Sequence, residues 1–198
     1  MVGIPPFNDD GLLPPGDHAV TVDQLRTSIL VTGPQPAIAG WDSDWRRHLV
    51  DGADSLIRQL WRVGVTEIYL NGSFAENKPH PNDIDGYFEC DARDVATGSL
   101  QARLNALDPN GVWTWDRASR RPYRGYTKRQ LPMWHVYRVE LYPHYGQQTG
   151  VRDSAGNELI FPSAFRLHRD SDAQKGIVKI LRHDDPHRVR IPPLVGPT

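Results

Sequence analysis

The feature that most constrains this fold is a glycine-serine turn between two apolar segments. The first segment, residues 66–70, has the composition of a buried strand. Gly72 and Ser73 follow it, and after a nine-residue gap the chain continues with Asp83-Ile84-Asp85. The second apolar segment, residues 83–89, predicts another strand. The pattern therefore predicts a strand, a tight turn, a polar loop and a strand that begins with two carboxylates.

The two carboxylates predict a metal site. Residues two apart on a strand point to the same side, so Asp83 and Asp85 share a face while Ile84 enters the core. Two carboxylates held this close repel each other unless a cation lies between them or one stays protonated. Hard divalent cations prefer oxygen ligands and carry phosphates on their remaining positions. We therefore expect Mg2+ or Mn2+ at Asp83 and Asp85.

The turn before them predicts contact with phosphate. Glycine lets backbone N–H groups approach an anion closely, so Gly72 and Ser73 are candidates to bind the phosphates of an NTP. Ser73 and Glu76 also have the spacing of a capping box, which predicts a short helix starting at Ser73. A phosphate cradle beside a two-carboxylate metal site is the minimum equipment for phosphoryl or nucleotidyl transfer.

At these residues the chain resembles a known superfamily. Gly-Ser, the nine-residue gap and Asp-Ile-Asp resemble the signature of polymerase-beta-type nucleotidyltransferases. The pattern is most similar to the minimal single-domain members in prokaryotic toxin–antitoxin and related systems. Residues 13–16 and 174–180 are further, weaker matches to small bacterial and phage proteins with such a core.

The resemblance implies a Mg2+-dependent enzyme that moves a nucleoside monophosphate from an NTP to a hydroxyl. Asp83 and Asp85 would hold two metal ions, and Gly72 and Ser73 would bind the outer phosphates. A third carboxylate on a neighbouring strand would complete the metal site, and Glu140 is the residue that matches it. The acceptor would be an RNA end or a side chain of a partner protein, either toxin or antitoxin.

Several alternatives stay open from the sequence. Glu140 is either the third ligand or a glutamate that is exposed or paired with an arginine. The chain as a whole is either an enzyme of this kind, a catalytically silent nucleotidyltransferase fold that acts as a binding or antitoxin module, or a metal-dependent phosphohydrolase. Convergence of Asp83, Asp85 and Glu140 in the structure is the observation that discriminates among them.

Composition limits the class of protein. The 198 residues suit one domain, and the net charge of −1 argues against wholesale coating by nucleic acid. No segment has the apolar length of a membrane span and the N-terminus has no signal-peptide pattern, so we expect no membrane partner. Cys90 is the single cysteine, which excludes an internal disulfide and predicts a cytoplasmic protein. It follows an apolar pair, which favours an inert buried thiol.

The periodicity predicts an α+β fold in which a small mixed sheet is backed by helices. Residues 1–40 are rich in proline and predict an N-terminal arm over the core, with a capping box at Thr21 and Gln24. Residues 44–62 have the clearest helical spacing, with Ser43 as the expected cap. A short helix is expected after Ser99. Further strands are expected at residues 134–142 and 175–181, and residues 182–198 predict a flexible tail.

Residues 117–129 form a basic segment without any acidic residue. Arg117, Arg120, Arg121, Arg124, Lys128 and Arg129 lie in it, with Tyr123 and Tyr126 interleaved. Cations neutralise phosphates and aromatic faces stack on bases, so the segment is either an RNA or nucleotide contact or a solvated loop. His183 and His187 flank Pro186, which breaks helical alignment and favours a terminus over a metal site. His135 and His144 are interpreted as structural.

Overall fold

A computed structural model describes residues 3–125 and 127–182. Its centre is a five-stranded mixed sheet with the strand order β1-β9-β2-β3-β6. The strands of this sheet are β1 (Asp17–Thr21), β2 (Ile68–Asn71), β3 (Ile84–Glu89), β6 (Val139–His144) and β9 (Ile177–Leu181). Two small ribbons pair β4 (Arg121–Pro122) with β5 (Arg129–Gln130) and β7 (Gln148–Arg152) with β8 (Glu158–Ile160). The predicted α+β class is confirmed.

The helices are short apart from one. They are α1 (Val22–Arg26), α2 (Ile29–Thr32), α3 (Ser43–Arg62), α4 (Ala92–Ala96), α5 (Ser99–Asn105), α6 (Pro132–Tyr137) and α7 (Phe161–Ala164). Two 3-10 turns cover Gly72–Ala75 and Arg117–Ser119. The capping box of Thr21 and Gln24 is present at the start of α1. Among the described residues, no helix combines the length and the hydrophobicity that crossing a bilayer requires.

Helix α3 supplies the largest part of the core. Its leucine, valine and isoleucine side chains recur at helical spacing and are fully buried against one face of the sheet. Asp42 caps the helix by accepting from the N–H of Trp45, so the expectation that Ser43 is the cap was wrong. The chain leaves the helix at Gly64, which has φ +93°. The face that α3 covers includes Ile84, as predicted.

The opposite face of the sheet carries a second, smaller apolar cluster. Tyr69, Tyr87 and Ile177 are buried there, and Phe161 and Phe165 pack against them from the segment of α7. The sequence predicted helices on one face of the sheet, whereas α7 lies on the other. This second face also carries the polar residues of interest, because Asp85 alternates with Ile84 along β3.

Two predicted elements are corrected by the structure. Residues 134–142 were expected to form one strand, but the first part is helix α6 and only Val139–His144 is a strand. Pro132 lies in the first turn of α6, and Arg138 ends the helix with φ +57°. The proposed N-terminal arm contributes an edge strand, because β1 pairs in parallel with β9. Its sequence has too little apolar alternation to predict a strand without that partner.

Arg46 of α3 fixes the loop that joins β2 to β3. Its side chain is fully buried and has no carboxylate partner within the described part of the chain. The guanidinium instead donates to backbone carbonyls of four residues, Leu30 (2.6 Å), Phe74 (2.9 Å), Glu76 (3.1 Å) and Lys78 (2.5 Å). Burial lowers the pKa of Arg46 to about 9. Because three of these carbonyls belong to the loop, α3 determines where the loop places Asp83.

Candidate metal and nucleotide site

Three polar side chains form a row across the sheet. The antiparallel pairing of β2 with β3 sets Asn71 opposite Asp85, and the parallel pairing of β3 with β6 sets Asp85 opposite Glu140. Residues paired in register point to the same face of a sheet. The row therefore lies on the face opposite α3, at the end where β2 runs into Gly72.

Asp85 is the carboxylate at the centre of the row. Burial raises its pKa to about 7, and the charges of Asp83 and Glu140 add to the rise. Among the described residues, no group donates a hydrogen bond to its side chain, although the residue stays partly accessible to solvent. When Asp85 is ionised, its carboxylate is repelled by the negative charges of Asp83 and Glu140, and no described protein group donates a hydrogen bond that would offset this repulsion. Such a site favours a bound cation.

Gly72 makes room for this carboxylate. Its φ of +76° is in the region that favours glycine, and a Cβ at this position would lie 2.8 Å from Oδ2 of Asp85. Gly72 and Ser73 are both partly exposed, so their backbone is accessible to a ligand. Ser73 makes no capping bond: the 3-10 turn starts at Gly72 without a side-chain cap, so the predicted capping box was wrong.

Asp83 lies just before β3 and is mostly buried. Its Oδ2 accepts a hydrogen bond of 2.7 Å from the indole Nε1 of Trp134 in α6. Among the described residues, Trp134 is the one donor to this carboxylate. The sequence analysis missed Trp134, because it assigned the residue to a strand.

Glu140 is buried on the same face but has a different environment. Its Oε1 accepts from the backbone N–H of Leu131 at 2.6 Å and faces the Arg120 guanidinium at 3.4 Å. Its Oε2 accepts from the hydroxyl of Tyr142. Burial, followed by the charge of Glu140, raises the pKa of Tyr142. The arginine-paired alternative therefore describes the contacts of Glu140 in this structure.

The donor set fits one hard cation. Within residues 3–125 and 127–182, no group of three or more His, Cys, Asp and Glu side chains is arranged to hold a metal ion. Asp83 and Asp85 nevertheless have oxygen lone pairs that no protein donor uses. Mg2+ binds through one or two carboxylates and completes its shell with water and phosphate oxygens. These two residues fit that pattern, and a ligand role for Glu140 stays a prediction.

Asn71 is a further polar residue of the row that the sequence analysis missed. It is fully buried at the end of β2. Its amide nitrogen donates to the carbonyls of Phe165 (2.5 Å) and Gly176 (3.1 Å), which ties β2 to the chain before β9. Its Oδ1 is buried without a partner among the described residues. No sequence pattern indicates this residue, because its partners lie far along the chain.

The basic segment borders the site and is largely exposed. Its exposed cations are Arg117, Arg121, Arg124, Lys128 and Arg129, whereas Arg120 is half-buried against Glu140 and Tyr142. The positive charges of Lys128 and Arg169 both act to lower the pKa of Asp85, against the larger effect of burial. Arg169 lies outside the segment and was not predicted. Tyr126 lies outside the described residues.

The remaining candidates stay apart from the row. Burial raises the pKa of the Cys90 thiol to about 11, which agrees with an inert thiol. His144 is buried against the rings of Tyr87 and Phe161, and Nε2 of His135 lies 3.1 Å from the carbonyl oxygen of Arg121. The pair of histidines in the predicted tail, His183 and His187, lies outside the described residues.

Comparison with known proteins adds one match. The model of a family of unknown function, DUF6932, matches residues 5–181. Neither the curated proteins nor the solved structures contain a match to this chain. The matched range includes the whole five-stranded sheet and each residue of the row.

Proposed function

The chain belongs to the DUF6932 family, and we propose that it is a Mg2+-dependent nucleotidyltransferase. The observation that carries the proposal is the pair of carboxylates Asp83 and Asp85 beside Gly72. Asp85 is partly buried and has no hydrogen-bond donor among the described residues, and the glycine leaves open the space next to it. Mg2+ and an NTP are the ligands that this chemistry favours.

In the proposed reaction Asp83 and Asp85 hold the cation, which supplies Lewis-acid activation of the phosphate and of the attacking hydroxyl. Gly72 and Ser73, both partly exposed, would bind the outer phosphates of the NTP through their backbone N–H groups. Lys128 and Arg169 neutralise phosphate charge, because both are cations whose fields reach Asp85. The nucleoside monophosphate passes to a hydroxyl of an RNA or of a partner protein, and pyrophosphate leaves.

Asp85 adds a proton requirement to this function. With a pKa of about 7, its carboxyl is partly protonated at neutral pH and must lose that proton before it binds a cation. A protonated Asp85 removes one of the two negative charges from the site. The proposed activity therefore rises with pH through the neutral range.

The test of this function is an assay with an α-32P-labelled NTP and Mg2+. It measures transfer of the label to RNA or to protein in an extract of the native cell. Wild type should label one acceptor class and release pyrophosphate, whereas Asp83→Asn and Asp85→Asn should lose activity by orders of magnitude. Asp44→Asn is the matched control, because Asp44 is an exposed carboxylate whose ion pair is with Arg47. Equal labelling by all four proteins would contradict the proposal.

A second candidate function is nucleotide binding without transfer, as in a silent antitoxin or binding module. The engagement of both oxygens of Glu140 favours it, because the third ligand that the resemblance implies is then occupied by protein donors. This candidate predicts that Mg2+ and NTP bind together at Asp83 and Asp85 while no pyrophosphate appears. Calorimetry and pyrophosphate release, measured on the same sample, separate the two functions.

A further inference from the structure

Asp83 owes its orientation to a single aromatic side chain. The residue is 7% exposed, and the indole N–H of Trp134 is the one donor to its carboxylate among the described residues, at 2.7 Å. We infer that Trp134 is a positioning residue that holds Oδ2 of Asp83 and turns Oδ1 toward the cation. This inference rests on the proposed metal site and names the group that prepares it.

An indole suits this role because it is a neutral hydrogen-bond donor. It has one N–H donor, no acceptor and no charge at any pH in the physiological range. It therefore fixes one oxygen of Asp83 and leaves the full negative charge for a metal ion. Arg120 shows the alternative at Glu140, where a cationic partner offsets the charge of the carboxylate. Asp83 thus has a neutral donor and Glu140 has an arginine, which indicates different roles for the two carboxylates.

The indole is itself held in place on two sides. The guanidinium of Arg138 lies 4.0 Å from the centroid of the Trp134 ring and 4.2 Å from that of Tyr123. Tyr123 and Trp134 also meet edge to face, with centroids 5.2 Å apart. Such contacts contribute through cation–π and aromatic attraction. They remove the rotational freedom that would otherwise weaken the hydrogen bond to Asp83.

The backbone around Arg138 ties this cluster to the start of β3. Arg138 ends α6 in the left-handed conformation, and its carbonyl accepts from the N–H of Ile84 at 3.0 Å. Ile84 is the residue next to Asp83, so the helix that carries Trp134 and the strand that follows Asp83 are joined. Movement of Trp134 relative to Asp83 is therefore restricted by the backbone as well as by the side chains.

The test compares two tryptophan variants of the full chain. Trp134→Phe keeps an aromatic ring and removes the N–H that reaches Asp83. Trp113→Phe is the matched control, because Trp113 is fully buried and donates its indole N–H to Oε1 of Gln59 at 2.5 Å, in the core. Mn2+ affinity is measured by calorimetry at pH 8. We expect about tenfold weaker binding for Trp134→Phe and wild-type affinity for Trp113→Phe, as is usual when a group that orients a metal ligand is removed.

A spectroscopic measurement on wild type covers the case in which Trp134→Phe does not fold. The assigned indole N–H resonance of Trp134 should move during a Mg2+ titration, with the midpoint that calorimetry gives, while that of Trp113 stays in place. Metal binding without this movement, or equal Mn2+ affinity of wild type and Trp134→Phe, would overturn the positioning role alone. No Mn2+ binding by wild type would instead overturn the proposed function, and the inference with it.

Discussion

Asp85 and Glu140 are neighbours in register on adjacent strands, yet their environments are opposite. Asp85 has no donor among the described residues and a pKa raised to about 7. Glu140 has three donors, which come from Leu131, Arg120 and Tyr142. Both carboxylates are on the same face of the sheet, so the face does not explain the difference.

The difference shows what decides the role of a buried carboxylate. Burial by itself disfavours the charged form, and hydrogen-bond donors reverse that effect. A carboxylate that has its donors stabilises the fold, whereas one without them has its lone pairs free for a cation. The donors to Glu140 come from Arg120 and Leu131, which flank the ribbon of β4 and β5, and from Tyr142 on β6 itself. The predictions that follow test this division between the two residues.

The largest effect is expected for Glu140→Ala. The change leaves Arg120 without its carboxylate and the N–H of Leu131 without its acceptor. We expect the free energy of unfolding to fall by about 3 kcal/mol, the usual cost of breaking a buried ion pair. Urea denaturation measures it. Glu140→Gln keeps an acceptor oxygen, so its free energy of unfolding should fall by less. A fall below about 1 kcal/mol for Glu140→Ala would show that these contacts contribute little to stability.

Metal affinity should depend on pH through Asp85. A proton competes with the cation for this carboxyl below its pKa of about 7, and each pH unit there weakens binding about tenfold. We expect Mn2+ to bind wild type about a hundredfold more tightly at pH 8 than at pH 5, by calorimetry. Asp85→Asn should bind Mn2+ weakly at both pH values. The same affinity for wild type at pH 5 and pH 8 would contradict the assignment of the site.

The contribution of Asp85 to the stability of the metal-free protein should fall as pH rises. The pKa of Asp85 is raised in the folded state above its ordinary value of 3.8, so the native state binds the proton more tightly than the unfolded chain does. The resulting stabilisation is present below pH 3.8 and is lost as pH rises through about 7. We expect Asp85→Asn to be more stable than wild type at pH 8 and to lose most of that advantage at pH 4. Thermal melts in EDTA measure the stability of both proteins. The same difference in stability at pH 4 and at pH 8 would refute this prediction.

The smallest effect concerns the space beside Asp85. Gly72→Ala places a Cβ 2.8 Å from Oδ2 of Asp85, at φ +76°. Gly111→Ala is the control, because it has φ +59° but nothing within 4 Å of the added atom. In both variants an alanine must adopt a left-handed backbone conformation, which lowers the free energy of unfolding by about 1 kcal/mol. Gly72→Ala should lower it by about 1 kcal/mol more, because of the contact with Asp85. Equal losses in urea denaturation would show that Asp85 moves freely away from Gly72.

The sequence alone predicted the local parts of the candidate site. Gly72, Asp83 and Asp85 were predicted from a turn, a gap and a period of two, all within one short segment. The long helix α3 was predicted within one residue of its observed start, because helical periodicity is a local property. These features depend on residues that are close in the chain, which is why a pattern reveals them.

Only the tertiary structure decided which carboxylate has partners. Trp134 was assigned to a strand, and its contact with Asp83 exists only because α6 precedes β6 and packs beside the start of β3. Strand β1, the carbonyl contacts of Arg46 and the amide bonds of Asn71 likewise join segments far apart in the chain. Local periodicity is compatible with many such pairings, and the burial of the whole core selects one of them. The sequence therefore determined which residues have the chemistry, and the packing of distant segments determined which of them have donors among the described residues.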